Sequence, residues 1–169
     1  MSGQDEGDQV SQHGLLAIDL GLKTGLAYFS GDGRLQRYHA QHFANRSALK
    51  KQVYGTLRGY QPLSVLVTEG DQALAKIWQK LPEKWGAQTV HIQAQHWREE
   101  LLLFRERSYG GAKAKSVAQQ RALDVITWSG ADLPYRDELR HDAAEAILIG
   151  LWGVLQQGWI EESTLDEIF

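Results

Sequence analysis

The sequence predicts an α/β domain: a mixed five-stranded sheet, three antiparallel strands followed by parallel ones, flanked by helices. Three observations carry this. Apolar runs about six residues long, bounded by glycines, fill the first third of the chain. A Gly31-Asp32-Gly33 turn sits between two of them. Beyond residue 60, short apolar runs alternate with segments of helical period, the signature of βαβ units.

The elements follow in order. Leu15 to Leu20 reads as a buried strand ending at Gly21, and Gly25 to Ser30 as a second. Arg34 to Phe43 completes a three-stranded meander. A helix is expected over Ser47 to Tyr60, with Ser47 as N-cap and Leu49, Val53 and Leu57 recurring every four residues. The run Ser64 to Glu69 is the fourth strand. A helix from Gln72 to Lys80 ends before Pro82, and Thr89 to Gln93 is the fifth strand. Trp97 to Phe104 has helical pattern. Arg105 to Ala112, around Gly110-Gly111, reads as a mobile loop, followed by a helix over Lys113 to Trp128 that Ser129-Gly130 ends. After a connection at Pro134 to Arg136, a last helix runs from Asp137 to Gln157 with Ala144, Ile147, Leu148, Leu151 and Leu155 on its apolar side. Right-handed crossovers place the fourth strand beside the first, which makes Asp19 and Glu69 neighbours.

A chain of 169 residues, 43% hydrophobic, fits one domain with one substantial core. Residues 1–13 are polar, with three acids and no Lys or Arg, and read as a disordered tail; 14–160 form the domain, and 161–169 an acidic C-terminal tail. There is no cysteine, which excludes disulfides, thiolate zinc sites and Cys nucleophiles. No apolar stretch approaches the ~20 residues of a membrane span. The expectation is a cytoplasmic protein without membrane contact. The net charge is −3, but seven of the 21 acids lie in the two tails. Setting these aside leaves 14 against 18 Lys and Arg, a core of +4 that permits nucleic-acid binding without demanding it.

Four acids stand out. Asp19 and Glu69 end two apolar runs, and Asp142 and Glu145 share a helix face in His141-Asp142-Ala143-Ala144-Glu145-Ala146. Small neighbours let that helix approach a sheet closely. Like charges so placed repel unless a cation or proton compensates, and hard divalent cations prefer oxygen ligands. Asp71 reads as an N-cap or an additional acid near the site. Arg98, Arg105, Arg107, Lys113, Lys115 and Arg121 gather around the glycine loop, diluted by Glu99, Glu100 and Glu106, and read as phosphate-binding groups. Tyr109 can stack on a base. Trp78, Trp97, Trp128, Trp152 and Trp159 lie in apolar patterns and read as core, or, for the last four, as dimer contacts.

These residues resemble the RuvC-like Holliday-junction resolvases of the RNase H-like superfamily. The stretch Ala17-Ile18-Asp19-Leu20-Gly21-Leu22-Lys23-Thr24-Gly25 looks like the family's opening strand and turn, and Val67-Thr68-Glu69 like its second acidic strand. Lys115-Ser116-Val117-Ala118-Gln119-Gln120 resembles its lysine-bearing helix start, and the segment around Asp142 and Glu145 its closing acidic helix. The four occur in family order over residues 15 to 155.

The resemblance implies an RNase H-like fold and a metal-dependent endonuclease that acts on branched or structured DNA as a homodimer. It implies Asp19, Glu69, Asp142 and Glu145 as ligands of two Mg2+ or Mn2+ ions. One ion would activate water for in-line attack and the other would stabilise the leaving 3′ oxygen. Lys115 would contact the scissile phosphate or support the attacking water, and His141 is a further ligand or base, or a helix-surface residue. The chain departs from the family pattern in Leu20, where the bacterial resolvases usually have Pro, and in Glu145, where Asp is usual. Junction resolvases also carry an aromatic wedge soon after the second acid; here Gly70-Asp71-Gln72-Ala73 follows, and the next aromatic is Trp78.

Two other readings stay open. One is a non-catalytic RNase H-like module that binds nucleic acid or a partner. The other is an RNA-processing nuclease, because the Asp-hydrophobic-Gly turn is also similar to that of YqgF-like proteins. Actin-like kinases open with such a turn too. They need two domains around ATP, more than 169 residues supply, so no nucleotide cofactor is expected.

Overall fold

The computed structural model describes residues 12–134 and 139–169. The sheet comprises β1 (Gly14–Asp19), β2 (Lys23–Ser30), β3 (Leu35–His42), β4 (Val65–Glu69) and β5 (Gln88–Ile92), in the order β3-β2-β1-β4-β5. β1 pairs antiparallel with β2, and β2 with β3; β4 pairs parallel with β1 and β5 with β4. The mixed sheet is the expected one. β1 is central and covered on both faces, which is why Leu15 to Ile18 is an unbroken apolar run rather than an alternating one.

Side chains alternate across the strands and so define two cores. Leu15, Ala17, Phe29, Val65 and Val67 face α5 (Gly111–Ser129) and α6 (His141–Gln156). Leu16, Ile18, Leu26 and Leu66 face Leu49, Val53 and Leu57 of α1 (Arg46–Arg58) and Trp78 of α2 (Gln72–Lys84). α6 lies almost against the strands. A Cβ at Gly25 would run into the Asp142 carbonyl, and one at Gly150 into the Phe29 ring; one at Gly153 would lie 2.9 Å from Leu15 Cδ1.

The helices differ from expectation in ways with local causes. Asn45, not Ser47, caps α1: its Oδ1 accepts from the Ala48 amide at 2.9 Å. α2 runs through Pro82 to Lys84. Proline removes only its own amide, and at this last turn its ring is buried in the core. The segment expected as Trp97 to Phe104 is α3 (Ala94–Leu101), which stops where Leu102 turns extended. The expected loop Arg105 to Ala112 contracts to Ser108–Gly110, between the short α4 (Phe104–Arg107) and α5. Glu106 caps the start of α4 by accepting from the Leu103 amide at 2.8 Å.

α6 begins at His141 rather than Asp137. Leu139 and Arg140 are described and not helical, whereas residues 135–138 lie outside the described residues, as do 1–11 of the expected N-terminal tail. His13, also assigned to that tail, meets Ser64 Oγ at 3.2 Å. The C-terminal segment is not extended. A 3-10 turn (Glu162–Thr164) and α7 (Leu165–Ile168) fold it back, because Ile168 is an apolar anchor buried in the α5–α6 core. Among the described residues, no helix is long and apolar enough to cross a membrane.

Candidate metal centre

The site starts from two strand ends. In the parallel register Asp19 lies beside Glu69, and the Leu20 amide donates to the Glu69 carbonyl at 3.0 Å. Strand alternation puts both side chains on the α6 face, in line with Ala17 and Val67. Beyond Asp19 the chain must turn at once. The buried Thr24 hydroxyl fixes that turn by donating to the Gly21 carbonyl at 2.7 Å. Gly25, paired with Asp19 across β1–β2, leaves room for the first turn of α6. That approach brings in Glu145. Carboxylate oxygens of Asp19, Glu69 and Glu145, all half-buried, lie within 4.8 Å of one another.

Three carboxylates this close cannot all be ionised without compensation. Burial, and then the charges of Glu145, Glu69 and Asp142, push the Asp19 carboxyl up to about 9. Burial and Glu145 also raise Glu69, against the lowering effect of Asp19, Arg98 and the Ala94 amide. The two carboxyls face each other closely enough to share a proton, and both are raised. Two nitrogen-bearing side chains flank the third acid. His141 Nε2 is 3.2 Å from Glu145 Oε1, one helical turn away, and Arg98 Nη2 is 3.7 Å from the same oxygen. His141 Nδ1 is buried without a hydrogen-bond partner among the described residues.

The donor set fits a hard divalent cation. Every ligand atom is a carboxylate oxygen, which suits Mg2+ or Mn2+. Burial first, and then the neighbouring acids, hold the Asp19 carboxyl up at about 9, and a cation among the three would offset the repulsion part of that shift. The cluster can therefore hold an ion. Asp142 stands in the first turn of α6, beside this trio rather than within it, and acts on Asp19 through its charge.

The expected phosphate-binding groups separate into three sets. Arg98 and Arg107 line an open cleft of about 550 Å³ together with Glu69. Arg105, Lys113 and Lys115 are exposed, and Lys113 Nζ lies 3.9 Å over the Tyr109 ring. Arg121 instead holds the fold: it pairs with Glu106 at 3.1 Å, covers the Phe169 ring and keeps only 15% of its side chain exposed. Asp71 caps α2, accepting from the Leu74 amide at 2.9 Å. Trp78 and Trp97 are core. Trp152 is buried, with its indole N–H donating to Glu100, and Trp128 and Trp159 pack against the α5–α6 core.

One residue escaped the sequence reading. Phe104 is 85% exposed and stands at the lip of the same cleft as Glu69 and Arg98. It follows Leu101-Leu102-Leu103 and so looked like the end of an apolar helix face. The signal available was the arginine pattern around it, Arg98, Arg105 and Arg107, which belongs to a solvated surface.

The fold is RNase H-like. The structure of T. thermophilus RuvC in complex with Holliday junction substrate is similar at a TM-score of 0.56 and 14% identity, over 86% of this chain and 96% of that one. The catalytic core domain of BIV integrase gives a TM-score of 0.34 and 10% identity over 82% of each chain, too slight a likeness to argue from. No family model and no curated protein matches the sequence.

Proposed function

We propose that the chain is a divalent-metal-dependent endonuclease of the RuvC-like type, which hydrolyses phosphodiester bonds in branched or otherwise structured DNA. The observation that carries this reading is the convergence of Asp19, Glu69 and Glu145 at the C-terminal ends of the two neighbouring inner strands of an RNase H-like sheet. A module that only binds nucleic acid gains nothing from acids gathered where a phosphate must come. The solved neighbour with junction DNA supports the choice of branched DNA.

In this reading Asp19, Glu69 and Glu145 hold two Mg2+ or Mn2+ ions, with Asp142 as the fourth acid. Ions bound there supply Lewis acidity and water activation. The chain's own groups do the rest. Asp19, whose carboxyl burial and the neighbouring acids push up, ionises when the site is filled. Arg98 and His141 both meet Glu145 Oε1 and hold that carboxylate in place beside Asp19 and Glu69. Lys115, Lys113 and Arg105 meet the phosphates flanking the cut, and Arg107 lines their path. Phe104 offers the aromatic face that the segment after Glu69 lacks, on which an unpaired base at a branch can stack. A homodimer would place two such sites on one junction.

The test is cleavage of a mobile four-way junction, a fork, a plain duplex and single-stranded RNA in Mg2+ and in Mn2+, with Asp19→Asn as control. Symmetric junction cuts that vanish in the variant are the expected result. Cleavage of RNA alone would move the reading to an RNA-processing nuclease. No metal-dependent cleavage of any substrate would move it to a binding module.

A further inference from the structure

The charge of this protein is divided very unevenly. α1 carries Arg46, Lys50, Lys51 and Arg58 and no acid, and α2 carries Lys76, Lys80 and Lys84 against Glu83 alone. Seven cations and one acid give these two helices +6 in a chain of −3, which leaves −9 for everything else. Both helices cover the sheet face opposite α5 and α6, away from the cleft that holds Arg98 and Phe104. Between them lies an open groove of about 570 Å³, lined by Lys50, Lys76, Lys80 and Lys84 and floored by Val53, Ile77 and Leu81.

Nothing in the fold compensates these lysines. Among the described residues none of the four makes an ion pair. The two acids nearest in sequence are engaged elsewhere: Glu83 accepts from the Thr89 hydroxyl, and Asp71 caps α2 and faces Arg46. Lys76, Lys80 and Lys84 recur at four-residue spacing, so each adjacent pair repels along the helix and weakens it. The spacing gives a row of ammonium groups about 6 Å apart along α2. Two exposed aromatics adjoin the row: Tyr54, 51% exposed, on the groove wall, and Trp85, 40% exposed, in edge contact with it at 6.5 Å between ring centres. Regular cations with aromatic surface beside them suit a charged sugar-phosphate chain.

We propose that the α1–α2 groove is a second nucleic-acid site, which binds the phosphodiester backbone without reading sequence. α2 starts three residues after Glu69, and the lysine row runs away from the acid cluster along the helix. A strand leaving the cluster over the sheet edge meets Lys76 first and Lys84 last. The groove therefore engages nucleic acid outside the cleft and lengthens the footprint beyond the cut.

The test is equilibrium binding of a fluorescent 30-base-pair duplex and of a fork to the full chain in EDTA, so that cleavage plays no part, from 50 to 300 mM KCl. The proteins are wild type, K50Q/K76Q/K80Q/K84Q and the cleft variant R98Q/R107Q, each checked for its melting temperature and oligomeric state. The expected result is a shallower salt dependence for the quadruple variant, the slope of log K against log salt falling by about 3 and affinity by at least ~10-fold at 50 mM salt. Cleavage of a short substrate that fits the cleft alone should persist in the quadruple variant, which separates this proposal from the catalytic one. Unchanged slope and affinity would overturn it. So would a dimer lost in the quadruple variant with DNA binding retained, or wild-type binding to anionic vesicles but not to DNA.

Discussion

The two faces of the sheet are packed by opposite rules. On one, α1 and α2 stand off on large side chains: Trp78, Phe43, Leu49 and Leu57 fill the gap, all of them fully buried. On the other, α6 lies against the strands through small residues: Ala143 and Ala146, with Gly25 opposite and Gly150 and Gly153 further along. The first face is an ordinary core in which volume supplies stability. The second gives up side-chain volume for proximity, and the proximity brings a helical carboxylate to two strand ends. Charge follows the same division, with acids gathered where the helix is close and lysines spread where it stands off.

The comparison breaks most sharply at Asp19. Asp19→Asn should lower metal-dependent cleavage by more than the ~100-fold that outer-shell partners cost, with the fold retained by circular dichroism. Cleavage within a few-fold of wild type would remove the acid cluster from the mechanism. The next largest effects separate the faces. Trp78→Ala should destabilise by about 3–5 kcal/mol in urea unfolding while the folded variant still binds Mn2+ with wild-type affinity. Gly25→Ala should cost less stability, about 1–3 kcal/mol from overpacking, but should weaken Mn2+ binding strongly. Its new methyl meets the Asp142 backbone, which cannot rotate aside, and the start of α6 must move off the sheet with Glu145. If the two variants behave alike, the division between a packing face and a positioning face is wrong.

A pH series sharpens the picture without catalysis. In metal-free protein the folded state keeps the Asp19 proton up to about 9, whereas the unfolded chain releases it near 3.8, the ordinary value of an aspartate. Between these values the folded state binds more protons, so stability falls as pH rises through the window. Glu69, raised in the same direction, adds to the fall. Urea midpoints in EDTA should therefore decline from pH 5 to pH 9. Asp19→Asn should flatten the decline and make the metal-free protein more stable than wild type at pH 8. A midpoint that rises with pH would contradict the crowding of the three acids. The smallest effect is expected at Phe104. Phe104→Ala should weaken binding of a fork with unpaired bases by ~1–3 kcal/mol and leave duplex binding unchanged. Equal losses on both would make Phe104 a general contact.

How much of this was legible in the sequence depended on whether a feature is local. Asp19 and Glu69 could be read because each ends an apolar run, and a parallel crossover then puts them side by side. Asp142 and Glu145 were legible as a pair, but which of the two meets the strand acids depends on how α6 is rotated on the sheet, and no spacing rule states that. Gly25 looked like a strand start. Its role, leaving space for another element's backbone, exists only in three dimensions. Asn45 and Pro82 were misread because Ser47 and the proline were the stronger local signals, while burial of the α2 end decided the boundary. The lysine groove went unseen for the same reason: Lys50 lies 26 residues from Lys76 in the chain, and packing of α1 beside α2 makes one surface of them.

The most direct test of the account is a calorimetric titration of the metal-free protein with Mn2+ at pH 7.5, repeated in buffers of different ionisation enthalpy and with Asp19→Asn as control. The account predicts saturable binding with release of about one proton, since Asp19 titrates near 9 and must ionise to act as a ligand. It also predicts that both binding and proton release are lost in the variant. Saturable binding with no proton release, or binding that survives Asp19→Asn, would show that the three converging carboxylates are not the metal centre.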